Sequence, residues 1–154
     1  MGGGARQMSL KRCPLGGYAR LVKAEKIDWG GQREGEATKA ERAFAMSLDT
    51  LVPGLDYWLH ADDDGTPWLL VSQDIVEGDA VRDTLRLDFD ARGIRGGWSP
   101  ACLNWDDGVR AEEALIDLSG PDGLHYLADR APVEDLARRA AAWFTAPKRG
   151  RWAD

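Results

Sequence analysis

The chain has 154 residues, 44% hydrophobic and 30% charged, with a net charge of -6, which is the length and composition of one globular domain. No stretch approaches the roughly 18 to 20 apolar residues that a membrane span requires, and the acidic balance disfavours nucleic-acid phosphates as partners. Cys13 and Cys102 stand far apart and outside any Cys-x-x-Cys spacing, so they read as free thiols of a reducing compartment rather than as a disulfide framework.

Residues 1–35 are basic and glycine-rich with little periodicity, and they read as a flexible arm carrying at most a short element near Tyr18, Leu21 and Val22. The first residues lack the apolar centre of a signal peptide, and position 6 is Arg6 rather than the Ser or Thr of a myristoylation site. A cytoplasmic location is the corresponding expectation. Arginine outnumbers lysine 15 to 5 and Asn104 is the single asparagine, a usage that points to a GC-rich bacterial source.

From Glu36 to Val52 the residues Ala37, Ala40, Phe44, Leu48 and Leu51 recur at steps of three and four, which predicts an amphipathic helix stopped by Pro53-Gly54. Asp56 to Ala61 and Trp68 to Ser72 read as strands joined by the turn-rich loop Asp62-Asp63-Asp64-Gly65-Thr66-Pro67. Thr84 to Asp90 alternates, with Leu85, Leu87 and Phe89 on one face and Arg86 and Asp88 on the other. Ala91-Arg92-Gly93 turns into a strand over Ile94 to Trp98. Glu113 to Leu118 reads as a further strand, and Gly120-Pro121-Asp122-Gly123 precedes Leu124 to Leu127. Pro132 opens a last helix with the stripe Val133, Leu136, Ala137, Ala140 and Phe144, ended by Pro147.

The fold class is therefore α+β: an antiparallel sheet of five or six strands flanked on one face by a helix from the N-terminal half and a C-terminal helix. Residues 36–147 make the single domain and 148–154 a short basic tail. With both helices on one side, the opposite sheet face is expected to be open to solvent or to a partner.

Catalytic and cofactor signatures are weak. Lysine is absent between Ala40 and Pro147, which excludes a Walker A loop and a Schiff-base lysine from the centre of the chain, and no Gly-x-Gly-x-x-Gly or His-Glu-x-x-His occurs. Gly97-Trp98-Ser99-Pro100-Ala101 has the glycine and serine of a nucleophile elbow, followed in order by Asp117 and His125, but the flanking strand and Pro100 do not supply the strand-to-helix turn that the elbow needs. Cys13, His60, Cys102 and His125 lack the paired spacing of a zinc site. Counting from Asp62, an EF-hand loop would place glycine where Pro67 stands. No cofactor is expected.

The acids are unevenly distributed. Leu55 to Ala131 holds 17 acids against six bases, a field suited to drawing in a basic protein. Seven tryptophans are present, a residue type concentrated in cores and at interfaces. Together these predict a non-enzymatic protein-binding module of the bacterial immunity or antitoxin kind. Its expected contacts with a basic partner are Trp58, His60, Asp62, Asp63, Asp64, Trp98, Trp105, Asp106 and Asp107. Two alternatives remain: a small hydrolase or lyase using Asp106, Asp107, Glu112 or Glu113, together with His60 or His125 or with a metal such as Mg²⁺ to generate hydroxide, and a small-molecule domain with a tryptophan-lined pocket.

Overall fold

The computed structural model describes residues 27–99, 109–114 and 116–150. Eight elements follow in chain order: β1 (Trp29–Gly31), α1 (Lys39–Leu51), β2 (Asp56–Ala61), β3 (Pro67–Glu77), β4 (Ala80–Asp90), β5 (Gly93–Ser99), β6 (Leu124–Leu127) and α2 (Val133–Thr145). The six strands form one sheet in sequential order, antiparallel from β2 to β6, with β1 added in parallel against β2. The α+β class and the two flanking helices stand as expected. The parallel edge was not expected, and it follows from α1 carrying the chain back over the sheet between β1 and β2.

Helix α1 starts where its cap chemistry dictates. Thr38 accepts from the Glu41 backbone at 3.0 Å while Glu41 accepts from the Thr38 backbone at 2.8 Å, a reciprocal box that satisfies two orphan donors. The buried stripe is Phe44, Ala45 and Leu48, whereas Leu51 is exposed at the helix end. Phe44 stacks on Phe89 of β4 with ring centroids 4.1 Å apart. In α2 the buried side chains are Leu136, Ala137, Ala140, Ala141, Trp143 and Phe144. Both helices pack on the face formed by Tyr57, Leu59, Leu69, Val71, Leu85, Leu87, Phe89 and Ile94. Gly96 permits the approach of α2, because a Cβ there would lie 3.0 Å from the Trp143 ring.

The opposite sheet face is not open. Trp58, Trp68, Leu70, Arg86, Asp88 and Arg95 all project there and all are buried, so the expected free face is replaced by a covered, strongly charged one. Part of the cover is the segment 109–118, expected to be a strand through Glu113 to Leu118. Instead Glu113 and Ala114 both donate to the Arg110 carbonyl at 2.9 Å and Ile116 donates to the Ala111 carbonyl at 3.4 Å, so the backbone turns on itself. The apparent alternation of Ala114 and Ile116 arises because these two, with Ala111, form a small apolar cluster of their own. Gly97 lets this segment lie close to β5: a Cβ would stand 2.7 Å from the Asp117 carbonyl oxygen.

Candidate functional site

Three arginines and their carboxylates organise the covered face. Alternation along β4 places Arg86, Asp88 and Asp90 on it together. Arg86 grips Asp88 through two hydrogen bonds of 2.9 and 3.1 Å and also donates to the Val109 carbonyl. Asp88 in turn accepts from the Ala111 backbone at 2.8 Å. From β5, Arg95 donates to Asp90 at 3.1 and 3.3 Å and pairs with Glu112 at 2.8 Å. Arg110 then forks onto Asp62 with two bonds of 2.8 Å and gives its remaining arm to Asp90. The segment 109–112 is thus strapped across the sheet by side chains from the β2–β3 loop, β4 and β5.

An aromatic layer lies beneath the strap. Trp68 is fully buried, with the Arg110 guanidinium carbon 5.0 Å and the Arg86 one 5.7 Å from its ring, and the His60 ring 4.8 Å away. Cations over an indole face are attracted by its quadrupole, more strongly when water is excluded.

The electrostatics are those of a saturated network. Burial pushes the Asp90 carboxyl up, but hydrogen bonds from Arg95 and Arg110, the Arg95 charge and the Arg92 backbone N–H outweigh it and hold its pKa at about 2. The Arg110 hydrogen bond holds Asp62 below the usual aspartate value against a smaller opposing effect of burial. Burial works against the Arg110 charge, yet its bonds to Asp62 and Asp90 raise its pKa above the ordinary arginine value. Carboxyls held this low keep their charge at neutral pH and are poorly matched to proton transfer there.

At the end of the sheet beside this network lies a cleft of about 650 Å³. Its walls include Thr38 and Glu41 from the start of α1, Asp62 and Thr66 from the β2–β3 loop, Asp90 and Arg92 from the β4–β5 turn, and Arg110, Glu112 and Glu113 from the strap. Glu41 is itself gripped by Arg33, which also donates to the His60 carbonyl at 2.9 Å. Asp63 and Asp64 are exposed on the adjoining loop, and Glu112 and Glu113 are exposed on the strap.

The expected contact residues are distributed as follows. Asp62, Asp63 and Asp64 sit together in the hairpin loop, where Asp64 accepts from the Thr66 backbone at 3.0 Å. That bond and a weaker one from the Thr66 side chain hold the Asp64 carboxyl below its ordinary value. Trp58 is 4% and His60 1% exposed, which corrects their expected place on an accessible surface: the strands pair Trp58 with Leu70 and His60 with Trp68 on the covered face. The Trp58 indole donates to Ser72 at 3.1 Å. Trp98 is half-buried on the helix side and donates to Asp122 at 2.8 Å. Trp105, Asp106 and Asp107 lie outside the described residues.

Ser99 is buried at the end of an antiparallel strand, and Asp117 spends an oxygen on the Gly120 backbone at 3.0 Å, so the elbow geometry is not met at this serine. Among the described residues no three His, Cys, Asp or Glu side chains stand close enough to hold a metal ion, and no helix is long and apolar enough to cross a membrane. Sequence reasoning missed Arg86, Asp90, Arg95 and Arg110. The signal for the first two was present in the charged side of the alternating β4 pattern, whereas Arg110 lies in a segment whose position depends on tertiary contacts. Neither a protein-family model nor a curated protein nor a solved structure matches this chain.

Proposed function

We propose that the protein is a small acidic binding module of the neutralising or regulatory kind, immunity- or antitoxin-like, that docks a basic partner protein at the cleft end of its sheet. The observation that carries this reading is the set of exposed carboxylates at the cleft end, Glu112 and Glu113 on its wall and Asp63 and Asp64 on the adjoining loop, beside the acids Asp62 and Asp90 that arginine holds ionised. An excess of exposed carboxylates beside a concave surface concentrates a basic partner and raises its association rate, with Arg92 and Arg110 as the cations among the cleft walls. The tryptophans contribute differently from expectation: Trp58 and Trp68 stiffen the platform under the rim.

The test is kinetic. A basic protein recovered in stoichiometric complex from the source cell should associate more slowly, by about tenfold at low salt, with the triple variant Asp63→Asn, Asp64→Asn, Glu113→Gln, with little change in dissociation. A salt-independent association rate, or a triple variant that associates like the parent protein, defeats the reading.

A further inference from the structure

We propose that the cleft is an arginine-recognition pocket in which a guanidinium from the basic partner exchanges with Arg110 at the Asp62 and Asp90 carboxylates. This rests on the docking reading above and gives it a chemical target. The pocket already holds a guanidinium. Asp62 receives Nε and Nη2 of Arg110 side by side, both at 2.8 Å, the forked geometry that a planar guanidinium offers and an ammonium cannot. Asp90 takes the third nitrogen, and the Trp68 ring, 5.0 Å from the guanidinium carbon, supplies a cation-binding floor.

Receptor and occupant come from different parts of the fold. Trp68 and Asp90 belong to β3 and β4, and Asp62 directly follows β2. Arg110 belongs to the strap, outside any helix or strand. Asp62, Asp90 and Arg110 all line the cleft, so a side chain entering from outside meets the same carboxylates that Arg110 holds.

Because Arg110 is tethered, it competes as an intramolecular ligand at an effective concentration on the order of millimolar. The pocket therefore favours partners whose own charge holds an arginine at the rim, where the acidic field concentrates it.

The test uses N-acetylated, C-amidated Gly-Gly-Arg-Gly-Gly, its citrulline and lysine counterparts, and nona-lysine as a reporter of the acidic field alone, each titrated into the full chain by NMR. Arg110→Ala should bind the arginine peptide about tenfold tighter than the parent protein, since the tethered competitor is gone. Arg42→Ala removes the same charge from an arginine that pairs with Glu36 and should stay within about twofold of the parent, the scale of a peripheral charge. The citrulline peptide, of the same shape without charge, should not bind, and the lysine peptide should bind more weakly than the arginine one. Equal gains in the two arginine variants, or equal binding of citrulline and arginine, overturn the pocket.

Should circular dichroism show Arg110→Ala unfolded, Arg110→Gln carries the same expectation. Independently of both, Asp62→Asn should abolish the preference for arginine over citrulline in the otherwise unaltered chain while Asp64→Asn preserves it, and the reverse refutes the proposal. Salt-dependent nona-lysine binding without any arginine preference sinks the pocket and leaves the docking reading standing. Absence of nona-lysine binding removes both.

Discussion

Replacing Asp90 by Asn tests whether the charged layer under the strap holds the fold together. Asp90 is 4% exposed and compensates three guanidinium groups, that of Arg95, which is fully buried, that of Arg110, which is 13% exposed, and the exposed one of Arg92 at 3.5 Å. Asn has the same shape, but it brings no charge and turns one acceptor into a donor facing donors. Removing one partner of a buried ion pair costs about 3 to 5 kcal/mol. Arg95 retains Glu112 and Arg110 retains Asp62, so the lower end, about 3 kcal/mol, is expected.

A pH signature accompanies that loss. The folded Asp90 pKa of about 2 lies below the ordinary 3.8, so its ionisation stabilises the fold by about 2 kcal/mol above pH 4 to 5 and that contribution is lost as pH falls toward 2. About 1 kcal/mol of it is gone by pH 3. Urea unfolding at pH 7 and pH 3 reads both quantities. The variant should be less stable at pH 7 and should lose less stability than the parent protein between the two pH values. A cost under about 1 kcal/mol at pH 7, or an unchanged difference between pH 7 and pH 3, refutes the account of Asp90 as the hub of the layer.

Other expectations follow from single contacts. Phe44→Ala removes a fully buried ring stacked on Phe89 and should cost about 3 to 5 kcal/mol in urea or thermal unfolding. Thr38→Ala removes the helix cap and should cost about 1 kcal/mol by the same measurement. Gly97→Ala places a Cβ 2.7 Å from the Asp117 carbonyl oxygen and should loosen the segment at 116–118, seen as faster amide exchange there, while the helix-side core retains its protection. Elemental analysis should find no stoichiometric zinc held jointly by the two histidines, because His60 on β2 and His125 on β6 are separated by roughly 19 Å, four strand spacings.

The strands and helices were legible because their apolar periodicity is set by burial on one face. Leu85, Leu87 and Phe89 alternate since β4 lies over α1 and α2, and the turns at Pro53-Gly54, Asp62 to Thr66 and Gly120 to Gly123 carry residues whose backbone preferences end strands and helices. The lengths were less legible. The strand predicted over Trp68 to Ser72 continues to Glu77, because Gln73 to Glu77 pairs with β4 alone among the described strands and lies beyond the range where both faces need apolar residues. The other side of the sheet was misread for a physical reason. A surface of Arg86, Asp88, Asp90 and Arg95 reads as a solvated face, since isolated charges avoid the interior. Only pairing makes it burial-competent, and the pairing requires Arg110 and Glu112 from about 20 residues further along the chain.

The charged layer also changes what the acidic composition means for binding. Between Leu55 and Ala131 there are 17 acids and six bases. The layer sequesters Asp62, Asp88 and Asp90 with Arg86, Arg95 and Arg110, leaving 14 acids against three bases in that stretch. Three acids and three bases cancel, so the net charge does not change. Half of the cations that would screen the remaining acids at short range have nevertheless been turned inward. Arginine suits this arrangement better than lysine, because its fork satisfies two carboxylate oxygens at once and tolerates burial, and the absence of lysine from Glu41 to Ala146 accords with that. Self-pairing inside and unopposed acid outside are thus two aspects of one charge distribution. An Arg86→Met, Asp88→Leu double substitution removes one internal pair without altering net charge, so it should change stability while leaving the salt dependence of association with a basic partner intact. A variant of unchanged fold whose association loses its salt dependence would show that the buried pair, rather than the exposed rim, generates the field.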